Sequence, residues 1–141
     1  MSVTCISAAT LDAYRQTLYR VWAEPAFVLS IGQYSLALAR LHAEYGVASS
    51  AFITACNPQS RVLPPHENTL RQQALLEMVC ENGWPSMAGV AQAASGSWPE
   101  EASLLVLGVG RQQACALAQS FEQNALVFCG AQCVPELVLL R

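Results

Sequence analysis

The chain contains no lysine and a single aspartate, Asp12, among its 141 residues. All seven basic side chains are therefore arginines, and charged residues make up only 12% of the sequence. Without lysine, the protein cannot form a Schiff base with a carbonyl substrate or hold phosphates in a Walker-type loop. A single aspartate also excludes a paired-aspartate site for metal-assisted phosphoryl transfer. Acid or base chemistry would have to come from glutamate or histidine.

The sequence also has no excess of positive charge and no long apolar segment. Its net charge of -3 gives no general attraction to nucleic acid. No stretch approaches the roughly 20 apolar residues of a membrane-spanning helix, and the start of the chain lacks the basic and apolar regions of a signal peptide. We therefore expect a cytoplasmic protein that binds neither nucleic acid nor membranes.

Cysteine and histidine are present but do not form a ligand pattern. The six cysteines lie in apolar segments, which favours reduced thiols over disulfides in a chain without a secretory signal. Cys129 and Cys133 are four residues apart, yet no second ligand pair lies near them in the sequence. His42 and His66 are interpreted as surface residues on helices. The sequence thus predicts no metal and no cofactor.

The apolar periodicity predicts helices that alternate with strands. Helices are predicted over residues 7–22, 35–45, 66–82 and 111–121. Strands are predicted over residues 27–31, 48–56, 87–91, 103–107, 125–128 and 136–140. The third and fourth of these strands are expected to form a hairpin around a polar turn at residues 95–97. We therefore predict one α/β (α+β) domain over residues 1–141, with helices packed on a mixed sheet of about five or six strands.

One segment collects polar side chains at the end of a buried strand. The near-continuous apolar run of residues 48–56 indicates a strand buried on both faces. An Asn-Pro pair beginning at Asn57 ends this strand, because proline cannot donate to the ladder of hydrogen bonds. The next helix then begins with Glu67, Asn68 and Arg71. The sequence predicts a site where these groups meet.

Glu67 and Arg71 are predicted to point into the protein. At helical spacing they fall within the apolar arc that Leu70, Leu75 and Met78 define. A buried carboxylate and guanidinium are costly unless they pair with each other or with a ligand. Both an internal ion pair that holds the loop and a ligand-binding role are compatible with the sequence.

The residues of this segment also occur in a distinctive order along the chain. The order comprises residues 51–58, then Ser60, Leu63, Glu67, Asn68 and Arg71, then residues 98–101, 103–108 and 123–125. This pattern resembles the bacterial DUF3293 family of uncharacterised domains over nearly the whole chain. The resemblance implies membership of a family but no activity. The family pattern has serine at the position of Pro64, so this chain lacks the hydroxyl that would form a capping box with Glu67.

The predicted site favours binding of a small anionic or nucleotide-like ligand. Its members are Thr54, Asn57, Ser60, Glu67, Asn68, Arg71, Glu101 and Asn124. Arg71 would clamp the anion, the asparagines would orient it, and Glu67 or Glu101 would be the nearest acid or base. The alternative is a non-catalytic protein-interaction domain in which the same residues form a structural polar network. The sequence names no protein partner and leaves enzymatic activity open.

Overall fold

A computed structural model describes residues 4–93 and 100–141. The helices are α1 (Ala8–Gln16), α2 (Leu36–Tyr45), α3 (Pro65–Glu81) and α4 (Arg111–Ser120). The strands are β1 (Leu18–Val21), β2 (Phe27–Leu29), β3 (Ser50–Ile53), β4 (Ser86–Gln92), β5 (Glu101–Leu107), β6 (Ala125–Cys129) and β7 (Glu136–Leu139). The predicted turn at residues 95–97 lies outside the described residues.

The strands form one sheet in the order β2-β1-β4-β5-β3-β6-β7, which confirms the α+β class. The sheet has seven strands, and every neighbouring pair is antiparallel, including the predicted β4–β5 hairpin pair. The mixed pairing predicted from the sequence is therefore wrong. Two strands that are connected through a helix are not neighbours in the sheet. For example, β5 lies between β3 and β4, and β3 lies between β5 and β6. Helix-linked strands thus run parallel without pairing.

The central strands separate two apolar cores. In β3, Ala51 and Ile53 belong to one core, whereas Phe52 belongs to the other. Helix α3 contributes Leu75 to the first core, which α4 also covers, and α2 contributes Leu38 to the second. Because strands covered on both faces need apolar side chains at successive positions, β3 appears in the sequence as an uninterrupted apolar run.

The helix predicted over residues 7–22 is wrong beyond residue 16. Helix α1 ends at Gln16, and the backbone of the next residue is already extended. In β1, Tyr19 and Val21 are buried while the residues between and before them are more exposed. A short apolar stretch can fit a helical or a two-residue period, and pairing with β2 and β4 selects the strand here.

All six cysteines are free thiols, but they do not all lie in the core. Cys5 and Cys80 are exposed, whereas Cys133 is buried beside His42. The surface position predicted for His42 is wrong, because α2 turns this residue inward and Nε2 lies 2.8 Å from Ser50 Oγ. The described residues contain no group of three potential metal ligands. None of the helices described is long and apolar enough to cross a membrane.

Candidate functional site

Polar side chains of α3 hold the loop between β3 and α3. The Asn57 amide nitrogen donates to Asn68 Oδ1 at 2.9 Å, and the Ala55 amide nitrogen donates to Gln72 Oε1 at 3.1 Å. These backbone groups lie beyond the last ladder position of β3, where no strand partner satisfies them. The helix side chains replace the sheet as hydrogen-bond partners. The loop is therefore fixed from the side of α3.

Arg71 is committed to the protein backbone. Its Nε donates to the Ala55 carbonyl oxygen at 2.6 Å, and its terminal NH2 group donates to the Phe121 carbonyl oxygen. A third contact, 3.8 Å from Nη1 to Glu122 Oε1, is a loose ion pair. Arg71 thereby ties the loop after β3 to the end of α4. This geometry is that of a structural side chain.

Glu67 does not take part in this network, so its predicted inward position is wrong. It is exposed, and the described residues contain no ion pair between Glu67 and Arg71. The buried side of α3 carries Leu75 and Val79 together with polar residues, whereas Leu70 is exposed. The backbone groups of the loop need polar hydrogen-bond partners from the first turns of α3. The inward face of these turns is therefore polar and differs from the apolar arc seen in the sequence.

A cavity of about 270 Å³ lies between this loop, α1 and the sheet face that carries Tyr19 and Phe52. Its lining is drawn from α1, the loop and the strands β1 and β3 to β7. The predicted site residues that line it are Thr54, Asn57, Ser60, Glu101 and Asn124. The predicted residues outside the lining are Glu67, Asn68 and Arg71. The structure thus separates the predicted set into cavity residues and residues that hold the loop or face solvent.

Asn57 connects the two groups. Its Nδ2 donates to Glu101 Oε2 at 2.7 Å, and its Oδ1 accepts from Asn68 Nδ2 at 2.8 Å and from the Leu63 amide nitrogen at 2.9 Å. Its backbone is left-handed, with φ of 48°. Asparagine tolerates this conformation better than most residues other than glycine. The side chain consequently positions the Glu101 carboxylate against the cavity.

Among the described residues that line the cavity, only Glu101 carries a charged side chain. Burial raises the pKa of this carboxyl group, and the hydrogen bond from Asn57 opposes the rise. No basic side chain contacts it among the described residues, whose ion pairs are Arg71–Glu122 and Arg111–Glu136. The cavity therefore contains an acid that can accept or donate a proton and that has no internal counter-ion.

Two tyrosines and Asn124 also line the cavity. Ser60 Oγ lies 3.0 Å from the Tyr14 hydroxyl oxygen and accepts from Asn124 Nδ2 at 2.9 Å. The Tyr19 hydroxyl donates to the Tyr14 carbonyl oxygen at 2.7 Å, and its ring meets that of Phe52 edge to face with centroids 5.3 Å apart. Burial raises the pKa of Tyr19, which keeps the phenol neutral. These groups add aromatic rings and uncharged polar side chains to the lining.

Sequence reasoning did not assign Tyr14 and Tyr19 to the site. The overlong first helix hid the strand on which Tyr19 lies, opposite Ala91 of β4 in the cavity wall. A two-residue period over residues 18–21 was the signal for Tyr19. Tyr14 gave no local signal, because its contact with Ser60 joins residues 46 positions apart.

The fold and this cavity define an α+β domain with a partly polar cavity beside the sheet. The chain belongs to the family described as "Protein of unknown function (DUF3293)", whose model matches residues 53–126. This confirms the family expected from the sequence, although the match covers residues 53–126 rather than nearly the whole chain. The matched segment runs from the end of β3 into β6 and includes all of the predicted site residues. The comparisons with curated proteins and with solved structures gave no match.

Proposed function

We propose that this protein binds a small molecule in the cavity between α1, the β3–α3 loop and the sheet. The observation that supports the proposal is the cavity of about 270 Å³, whose lining combines aromatic and aliphatic side chains with several polar ones. Small-molecule sites in proteins are typically concave and mostly apolar, with a small number of placed polar groups. The volume suits a compact ligand.

The anionic or nucleotide-like ligand expected from the sequence depended on Arg71. Its guanidinium donates to backbone carbonyls outside the lining, so it is not available in the cavity as an anion clamp. An anion in the cavity would instead meet the Glu101 carboxylate. Like charges that are shielded from water repel strongly. The geometry supports an uncharged or positively charged ligand better than an anion.

The alternative function is a protein-interaction domain in which the polar residues are only structural. It agrees with Asn68 and Arg71, whose hydrogen bonds hold the loop. It gives no role to the cavity, so we prefer small-molecule binding. The proposal keeps the cytoplasmic location expected from the sequence, because exposed free thiols such as Cys80 suit a reducing compartment.

The experiment is a thermal-shift screen with a metabolite panel, followed by mapping of each hit through amide NMR shifts. Ala125→Leu adds side-chain volume inside the lining, whereas Ala116→Leu adds the same volume on the exposed side of α4. We expect hits to perturb lining amides such as that of Val127, and to lose binding in Ala125→Leu but not in Ala116→Leu. Hits that shift amides outside the cavity and bind Ala125→Leu as tightly as the wild type would contradict the proposal.

A further inference from the structure

The chain offers no side-chain cation to balance Glu101 inside the cavity. It contains no lysine, and residues 1–3 and 94–99 include no arginine or histidine. Arg71 is bound to backbone carbonyls, and Arg141 donates to Asn124 Oδ1 at 3.3 Å from outside the lining. Glu101 is partly buried, and a carboxylate that is partly withdrawn from water without a counter-ion is costly to keep ionised. Packing alone gives no reason for an acid at this position.

The hydrogen bonds around Glu101 leave room for a donor from a ligand. Among the described residues, Asn57 alone donates to the carboxylate, at Oε2. An ionised carboxylate can accept about four hydrogen bonds. The neighbouring hydroxyls already donate elsewhere: that of Thr54 to the Ala102 carbonyl oxygen at 2.7 Å, and that of Tyr19 to a backbone carbonyl. When Glu101 is ionised, a ligand group that reaches its carboxylate must therefore be a hydrogen-bond donor.

The remaining wall of the cavity also suits a cation. Tyr14, Tyr19 and Phe52 belong to the lining together with Glu101. Aromatic rings attract organic cations through their quadrupoles, and a nearby carboxylate supplies the counter-charge. We infer that the ligand is a compact organic amine whose protonated nitrogen binds Glu101 and whose apolar part packs against the aromatic wall. This inference rests on the proposed function and adds the charge and class of the ligand.

The test uses probes of similar size and opposite charge: benzylamine, benzyl alcohol and benzoate. Each is titrated near pH 7 into wild-type protein, and the amide NMR shifts of the lining residues are followed. Glu101→Gln keeps an acceptor for Asn57 but removes the charge, and Glu81→Gln makes the same change at an exposed position on α3. We expect benzylamine to bind at least about tenfold more tightly than either other probe, a preference of about 1.4 kcal/mol. The preference should vanish in Glu101→Gln and persist in Glu81→Gln.

The outcomes separate the two proposals. If all three probes shift the lining amides equally, or if Glu101→Gln leaves the preference unchanged, the cavity binds small molecules but the amine inference is wrong. Tighter binding of benzoate would also overturn it and would restore an anionic ligand. If no probe binds and the metabolite screen finds no hit in the cavity, both proposals fail. Should Glu101→Gln not fold, the comparison of the three probes on wild-type protein still decides the sign of the charge.

Discussion

Arg71 allows a stringent test of how the site is built. Its guanidinium joins the Ala55 carbonyl oxygen to the Phe121 carbonyl oxygen, and so connects the loop after β3 with the end of α4. Replacement by alanine leaves both carbonyls without their charged donor. Lysine keeps the charge but has no fork of donors that could reach both acceptors. We therefore expect both Arg71→Ala and Arg71→Lys to destabilise the fold.

The size of the loss follows from the contacts. A hydrogen bond to a charged group contributes about 1.5–3 kcal/mol. The Arg71 side chain is 25% exposed, so water can partly replace it, and each bond is best placed at the low end of that range. The loose ion pair with Glu122, at 3.8 Å and half exposed on the glutamate side, adds little. Arg71→Ala should thus lower the free energy of unfolding by about 3 kcal/mol.

Urea denaturation at neutral pH measures this loss, and Arg111→Ala is the matched control. Arg111 donates two hydrogen bonds to Glu136, but both side chains are at least half exposed. Such surface pairs contribute about 0–1 kcal/mol, so Arg111→Ala should be nearly neutral. If Arg71→Ala unfolds no more easily than Arg111→Ala, the bonds to the carbonyls contribute nothing. Arg71 would then be free to act as an anion clamp, as the sequence suggested.

Two further predictions concern packing and pH. Gly89→Ala should lower the free energy of unfolding, measured by urea denaturation, by about 1–3 kcal/mol. The added Cβ would clash with the Arg20 carbonyl oxygen and lie 2.9 Å from Phe52 Cε2. Gly130→Ala should be tolerated, because the nearest atom to its added Cβ is 4.0 Å away. Burial lowers the pKa of His42 below 6.5, so the unfolded chain takes up a proton first as pH falls. The free energy of unfolding should therefore decrease from about pH 7.5 to about pH 5.5, and this slope should be weaker in His42→Gln. A flat wild-type profile, or equal losses for both glycine variants, would contradict these predictions.

Much of the fold could be predicted from local sequence patterns. Helices α2, α3 and α4 begin and end within one residue of their predicted bounds. Each has a long apolar period or a stop signal such as Gly46, which takes the left-handed backbone that ends α2. The antiparallel sheet could not be predicted in this way. Which strand pairs with which depends on contacts between distant segments, and helix-linked strands suggest parallel neighbours until their order in the sheet is known.

The structure brings some of the predicted site residues together at a cavity and assigns others to holding the loop or to the surface. The Asn-Pro pair after β3 correctly indicated a polar loop, and Asn57 and Glu101 do meet there. The inward face of α3 was predicted wrongly because apolar residues usually mark the inward face of a helix. Leu70 is exposed, while Asn68 faces the loop. An irregular loop needs hydrogen-bond partners for its backbone groups, and which helix residues supply them depends on the tertiary structure. The periodicity of the helix sequence does not show this.

The same demand explains why so many polar residues gather at this place. A loop that leaves a sheet edge exposes backbone donors and acceptors, and α3 satisfies them with Asn68 and Arg71. Those residues are needed whether or not the protein binds a ligand. Glu101 is different, because its side chain satisfies no backbone group of the loop and its partial burial without a counter-ion opposes ionisation of the carboxyl group. Among the cavity residues, Glu101 is therefore the one on which the proposed ligand binding depends most directly. Asn57, which is hydrogen-bonded to both Asn68 and Glu101, joins the structural network to that carboxylate in the cavity.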